Sequence, residues 1–291
     1  MYAPQFDYHR ARSIPEALEL MAKYPGAKFL AGGHTIVPLM KLRLAAPPAL
    51  IDIGRLNELR GMGRTKDNSV IIGTLMTHAE VAASADVRAG AAALADAAAL
   101  VGDPAVRNRG TIGGNVAHAD PASDLPTALV ALDASLRAAS PRGIRSIAVR
   151  DFFTGIMTTS LGDDEILTDI VIPAAARGEG SAYEKFAHPA SRYAVVGAAA
   201  SITVRDGKIS AARVAVGGLV PHARRLASVE RALVGTAVSD DSVAAAARSV
   251  TVDLGGDVTG DIYASAEYRA AMAPVYIKRA VMTAAARASL R

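Results

Sequence analysis

Hydrophobic spacing divides this chain into short blocks of alternating type. Ser13-Ile-Pro-Glu16 predicts a helix start, with Ser13 as the N-cap, Glu16 reaching back to it and Pro15 tolerated in the first turn. That helix is expected to run to about Tyr24, where Pro25-Gly26 stops it. Lys28-Phe-Leu-Ala31 reads as a strand ending at Gly32-Gly33. Ile36 to Leu44 reads as a helix interrupted at Pro47-Pro48, and Leu50-Ile-Asp-Ile53 as another strand. Strand, turn, helix and strand in that order is the local layout of a nucleotide-binding unit, and by itself it is shared with many folds. Val70-Ile-Ile72 predicts a further strand. Thr77-His-Ala-Glu80 offers a second capping box ahead of an Ala-rich helical stretch to about Val101. The apolar run Leu125 to Leu132 predicts a helix, and strands are expected at Ile147 to Val149 and Ile166 to Ile172.

Between Pro173 and Ser181 both periodicities vanish, which predicts a domain boundary and a division into 1–176 and 177–291. Beyond it, Ser201 to Arg205, the Asp206-Gly207 dipeptide and Lys208 to Val216 spell a hairpin with a type I′ turn. Helical segments follow at about Arg224 to Leu233, Ser239 to Ser249 and Glu267 to Leu290. Strands followed by helices imply an antiparallel sheet covered by helices, and the fold class expected is α+β.

Composition narrows the chemistry. The 291 residues suffice for about two domains. The formal charge of +4 is a weak field for a chain this long, and the basic clusters are no longer than pairs such as Arg224-Arg225, so nucleic-acid binding is disfavoured. With no Cys, the chain has no thiolate nucleophile, no disulfide, no Cys-ligated iron–sulfur cluster and no cysteinyl cofactor link. Six His show no H-x-x-x-H spacing, and no metal site is expected. The longest apolar stretches, such as Tyr193 to Val204, fall short of a membrane span, and no apolar signal core follows Met1. A cytoplasmic protein is expected.

Two glycine pairs carry the candidate chemistry: Ala31-Gly32-Gly33-His34-Thr35 and Thr111-Ile112-Gly113-Gly114-Asn115. Each lies where an apolar segment gives way to a turn or helix. Paired Gly lets successive amides converge on one point with no Cβ in the ligand's way. Thr35, Thr111 and Asn115 add side-chain donors. A diphosphate needs two donor clusters, one per phosphate; the plainer reading of each pair alone is an ordinary turn. Neither pair fits the G-x-x-x-x-G-K-[ST] loop, and Gly61-Met-Gly63-Arg-Thr-Lys66 lacks the third Gly of a dinucleotide fingerprint.

At these residues the chain resembles a known family. Leu30-Ala-Gly-Gly-His-Thr-Ile-Val-Pro-Leu-Met-Lys-Leu-Arg43 and Asn108-Arg-Gly-Thr-Ile-Gly-Gly-Asn115 are similar to the two FAD signatures of molybdenum hydroxylase flavoprotein (medium) subunits, such as those of aerobic carbon monoxide dehydrogenases. The likeness extends to Tyr183-Glu-Lys-Phe186 and Glu267-Tyr-Arg269. It implies an FAD-binding domain of the vanillyl-alcohol-oxidase type, in two α+β subdomains split near 55–60. A small C-terminal domain with a three-stranded antiparallel sheet and helices would follow. It also implies noncovalent FAD, its diphosphate held by Gly32, Gly33, His34, Thr35 and Ile36 and by Thr111, Ile112, Gly113, Gly114 and Asn115.

Four further positions carry over from the resemblance, each with a plainer alternative. Asp124 matches an FAD-contacting Asp, or is the N-cap of the helix at Leu125. Leu167 matches a position whose backbone meets the flavin ring, or is an ordinary strand residue. Lys185 matches a Lys near the flavin, where a cation would stabilise the reduced, anionic ring, or is a solvated strand Lys. Tyr193 matches an aromatic covering the ring face, or is a half-buried strand Tyr. One departure stands out: many relatives have Arg where this chain has His188, and Asp where it has Arg192.

The resemblance implies an electron-transfer subunit with no catalytic side chain of its own. Partners would be a large molybdopterin-binding subunit and a small subunit holding [2Fe–2S] clusters, assembled as a dimer of heterotrimers. The absence of Cys agrees, since the clusters must then sit in another chain. The alternatives are a stand-alone FAD-dependent oxidoreductase acting directly on a small molecule, for which the sequence shows no convincing base, and a non-catalytic flavin-binding module.

Overall fold

A computed structural model describes residues 2–290; Met1 and Arg291, the outer limits of the two expected domains, lie outside the described residues. The layout expected over residues 28–53 forms a small parallel sheet, with Ala49–Asp52 between Asp7–Arg10 and Lys28–Leu30. Helix Ile14–Lys23 buries Ala17 and Leu18 beneath it, in a core with Ile51 and Leu59. Ser13 Oγ accepts from Glu16 N at 3.2 Å as its spacing predicts, whereas the Glu16 carboxylate reaches one residue further, to Arg12 N at 2.7 Å.

A five-stranded antiparallel sheet follows, in the order Met62–Arg64, Val70–Gly73, Ile166–Ile172, Ser135–Ser140 and Gly143–Ala148. The last two form a hairpin in which Gly143, Ile144, Arg145 and Ser146 are all exposed, so its second strand shows no apolar alternation before Ile147. The Ala-rich stretch before Val101 divides into three helices: His78–Ala83, Ala85–Gly90 and Ala92–Leu100. Ser84 is the first break and Ala91 the second; Ser84 is extended and its Oγ accepts from Val87 N at 3.3 Å, the competition with helix interior that Ser side chains offer. Thr77 and Glu80 form the expected reciprocal capping box. Helix Ala92–Leu100 is buried around most of its girth because it is sandwiched between this half and the next. Ala93 N donates to Ser181 Oγ at 3.1 Å, and Asp96 pairs with Arg287 at 2.6 Å.

The third sheet is antiparallel, ordered Glu179–Ala187, Ala194–Arg205, Lys208–Gly217 and Arg224–Arg225. Asp206 and Gly207 have φ of +49° and +72°, as a type I′ turn demands. The three-stranded expectation is corrected to four strands. The chain returns along Ala215–Val216 for two residues, held by Leu226 N to Val214 O (2.9 Å) and by Arg225 paired with Glu230 (2.5 Å). Helix Ala266–Ala288 covers this sheet with a mostly small-residue stripe: Ala273, Ile277, Ala280, Val281, Ala284, Ala285 and Ala288. Approach is close enough that a Cβ on Gly180 would lie 2.2 Å from Ala284 O. The expected helix from Ser239 to Ser249 is Asp240–Ala247, with Val250–Leu254 following as a separate turn. Among the described residues no helix is long and apolar enough to cross a membrane.

Candidate functional site

The first glycine pair closes strand Lys28–Leu30 and turns the chain into helix Ile36–Lys41, for which Thr35 is the N-cap. Gly33 has φ of +80°, a conformation open to Gly at little cost. The amides of Gly32, Gly33, His34, Thr35 and Ile36 donate to no acceptor among the described residues. Five consecutive free N–H groups on one bend form an anion-accepting concavity. Gly32, Gly33, His34 and Thr111 line a cavity of about 1040 Å³, with Arg10, Lys41, Arg55, Arg60 and Arg109 around its walls. Arg60 is paired with Glu80 at 3.2 Å. The volume is at the upper end of the usual range for cofactor sites, about 300–1,000 Å³. Free amides, bare Cα atoms and a cationic wall fit the diphosphate of an FAD.

The second pair is built differently. Thr111 caps helix Ile112–His118, its Oγ1 accepting from Gly114 N at 3.2 Å. Ile112 N donates to Met76 O (2.9 Å), Gly113 N to Thr74 O (2.8 Å) and Asn115 N to Thr111 O (3.0 Å). The four amides from Ile112 to Asn115 are therefore engaged inside the protein, so the two bends differ in what they present to a ligand. Gly113 is needed for packing, since a Cβ there would lie 2.3 Å from Thr74 Cβ. What the second bend offers a ligand is the Thr111 hydroxyl hydrogen; Asn115 Nδ2 donates to Ser123 Oγ at 3.0 Å, and its Oδ1 is buried with no hydrogen-bond partner. The two bends nonetheless touch. A Cβ on Gly32 would stand 2.1 Å from Arg109 O, and one on Gly114 would stand 4.0 Å from Ala31 Cβ.

His78 holds the back of the second bend. Its backbone N–H donates to Gly110 O at 3.0 Å, and a Cβ on Gly110 would meet its Nε2 at 2.8 Å. Burial first, then the neighbouring His34 and Arg107, lower its pKa from the ordinary 6.5 to about 4. The folded protein thus refuses a proton that the unfolded chain accepts between those two values. Stability present above pH 6.5 is expected to fall as pH drops toward 4, by up to about 3 kcal/mol. Urea denaturation of the wild type and of His78→Gln across that window checks this; the substituted protein should lack that part of the slope.

Asp124, Leu167, Lys185 and Tyr193 do not line the large cavity. Ser123, not Asp124, is the N-cap residue of helix Asp124–Ala131, so the capping alternative for Asp124 is corrected. The Asp124 carboxylate instead turns to the third sheet, accepting from Tyr183 OH at 2.6 Å and from Lys185 Nζ at 2.8 Å. Lys185 is not solvated: its side chain is 1% exposed, and its ammonium also donates to Leu100 O (2.8 Å) and Arg192 O (2.7 Å). Burial raises the Asp124 pKa and lowers that of Lys185, and each opposes the shift in the other. Leu167 is buried on strand Ile166–Ile172, its carbonyl accepting from Thr74 Oγ1 at 2.7 Å, so it shares Thr74 with Gly113. Tyr193 is 46% exposed, at the end of a turn built on His188, whose Nδ1 accepts from Ala190 N and Ser191 N, both at 3.2 Å. The turn closes at Arg192, with φ of +61°, whose carbonyl is the one held by Lys185. Pattern reasoning passes over His78, Arg109 and Tyr183. Only the Gly110 and Gly32 contacts, invisible in one dimension, bring the first two to the bends.

Residues 4–175 match the family described as FAD binding domain in molybdopterin dehydrogenase, and residues 181–284 match the CO dehydrogenase flavoprotein C-terminal domain. The carbon monoxide dehydrogenase medium chain of Hydrogenophaga pseudoflava is 38% identical over 290 residues, covering 99% of each chain. The nicotine 6-hydroxylase medium subunit of Paenarthrobacter nicotinovorans is 35% identical, over 99% of this chain and 100% of that one. The solved carbon monoxide dehydrogenase from Hydrogenophaga pseudoflava superposes with a TM-score of 0.93 at 39% identity over 99% of both chains. These relatives are subunits of oxidoreductases. The chain belongs to the FAD-binding medium-subunit family of the molybdopterin dehydrogenases.

Proposed function

We propose that this chain is the electron-transfer subunit of a molybdenum-containing dehydrogenase, holding FAD noncovalently against the bend at Gly32–Ile36. The bound FAD would supply redox chemistry in one- or two-electron steps, linking [2Fe–2S] clusters of a small partner subunit to an external acceptor. The observation that carries the reading is the run of five unpartnered amides from Gly32 to Ile36, the first three of whose residues line a cavity edged by five Lys and Arg side chains. These amides would take the diphosphate, and the Thr111 hydroxyl would contribute from the facing bend. Leu167, Asp124, Lys185 and Tyr193 would border the ring end of the cofactor, Asp124 and Lys185 acting as a pair. Their charges offset each other, so the field beside the ring would depend on Arg192, which replaces an acidic residue of many relatives.

In this reading, 1–176 is the FAD-binding domain, of the vanillyl-alcohol-oxidase type, and 177–291 the C-terminal domain of a cytoplasmic complex. That complex would be a dimer of heterotrimers with a large molybdopterin subunit. The substrate would be selected in that large subunit, which suits the range named for relatives of this chain: carbon monoxide, nicotine and xanthine. Expression of the chain, affinity purification from its native host and metal analysis test the reading. The expected result is a yellow protein that releases FAD on denaturation and brings down a complex containing molybdenum and iron. Turnover of a small molecule by the isolated chain, with no metal-containing partner, would overturn it.

A further inference from the structure

Tyr183 is buried, 3% exposed, and has no task in the reading above. Its hydroxyl lies in a slot that glycine makes: a Cβ on Gly197 would come within 2.5 Å of the Tyr183 oxygen. The register partner of Gly197 is Gly217, where a Cβ would stand 2.2 Å from Thr127 Oγ1. Two facing glycines thus bring the third sheet against the first turn of helix Asp124–Ala131. The tyrosine hydroxyl is thereby set on Asp124 Oδ1.

The contacts of the pair beside it suit its ionised form. Lys185 Nζ faces three acceptors: Leu100 O, Arg192 O and Asp124 Oδ2. An ammonium has one hydrogen for each, whereas the neutral pair fills the third contact only with Asp124 Oδ2 donating to Nζ. Asp124 faces two donors, Tyr183 OH and Lys185 Nζ, and acts purely as an acceptor. Burial works against both charges, and the other charged groups facing the pair, Arg192 and Arg107, are cationic. A hydrogen bond to an ionised partner is about twice as strong as one between neutral groups, so the hydroxyl favours the carboxylate over the acid.

We propose that Tyr183 is a positioning residue that keeps the buried Asp124–Lys185 pair ionised. Without its hydroxyl, one proton moves from Lys185 Nζ to Asp124 Oδ2, leaving a neutral amine and a neutral carboxylic acid with no change in net charge. The consequence for a flavin rests on the function proposed above: a separated charge pair at the ring end would be replaced by two neutral groups.

The test uses infrared spectroscopy of the full chain without FAD. Tyr183→Phe keeps the ring and removes the hydroxyl. It is expected to lower the ratio of ionised to neutral pair by about tenfold to a hundredfold. A protonated-carboxyl C=O band should then rise above the amide I envelope, absent from the wild type and from Tyr183→Phe combined with Asp124→Asn. Gly197→Ala, which pushes the hydroxyl away, should raise the same band and serves if the Phe variant does not fold. A wild type that already carries the band, or a folded variant without it, overturns the proposal. In the FAD-loaded protein Tyr183→Phe should also shift the flavin midpoint potential. The band without that shift would uphold the role of Tyr183 and remove Asp124 and Lys185 from the flavin's surroundings, so the two ideas fail separately.

Discussion

A protein carrying Gly32→Ala is expected to purify with much less bound flavin than the wild type. The added Cβ would stand 2.1 Å from Arg109 O, a main-chain atom that cannot rotate away, so the two bends must part. Overpacking of this kind costs about 1–3 kcal/mol, and if it fell wholly on flavin binding the affinity would drop roughly 5- to 150-fold. Gly33→Ala should act more mildly and by another route. Its Cβ meets only Leu30 Cδ1 at 3.3 Å and Val37 Cγ2 at 3.5 Å, but φ of +80° costs an L-residue about 1–2 kcal/mol. Gly63→Ala, where a Cβ would meet nothing within 4 Å, is the control. Visible absorbance of each purified protein, followed by FAD titration of the stripped chains, reads the order. Full flavin retention by folded Gly32→Ala would mean that the diphosphate lies elsewhere.

Asp124→Ala is expected to be among the costliest single substitutions in the protein even when no flavin is present. It leaves the Lys185 ammonium buried, with the carbonyls of Leu100 and Arg192 as acceptors but no counter-charge. Breaking a buried pair in this way costs about 3–5 kcal/mol. Replacing both partners, as in Asp124→Leu with Lys185→Met, should cost less than the single change, because no charge is then stranded. Asp151→Ala provides the surface comparison: its pair with Arg150 is 69% and 70% exposed and is worth less than about 1 kcal/mol. Equilibrium unfolding of flavin-free chains separates the three. If Asp124→Ala cost no more than Asp151→Ala, the buried pair would not be the tie between helix Asp124–Ala131 and the third sheet.

Much of the local architecture is legible along the chain. The Ser13 cap, the Thr77–Glu80 box and the Asp206-Gly207 turn are each decided by neighbours within a few residues, and each forms as its spacing predicts. The hairpin from Ser135 to Ala148 is far less legible, because its exposed positions carry no alternation and its partner strand, Ile166–Ile172, is distant in sequence. The break at Ser84 is hidden for a different reason: one side chain tips a helix-forming run toward a cap, and propensity summed over a window averages that away.

The candidate site divides along the same line. By itself the sequence determined that two Cβ-free bends follow apolar segments, that no thiolate is present to hold a metal cluster, and that strands give way to helices after Val216. Those are consequences of composition and near-neighbour spacing. Only the tertiary structure decided that the amides of Gly32–Ile36 stay free while those of Ile112–Asn115 are engaged, since Met76 and Thr74 reach the second bend from a separate part of the chain. It alone joined Asp124 to Tyr183 and Lys185, about sixty residues away in sequence, through a slot that Gly197 leaves open. Hydrogen-bond satisfaction and burial are properties of what surrounds a group in three dimensions, and hydrophobic periodicity records only which way a residue faces.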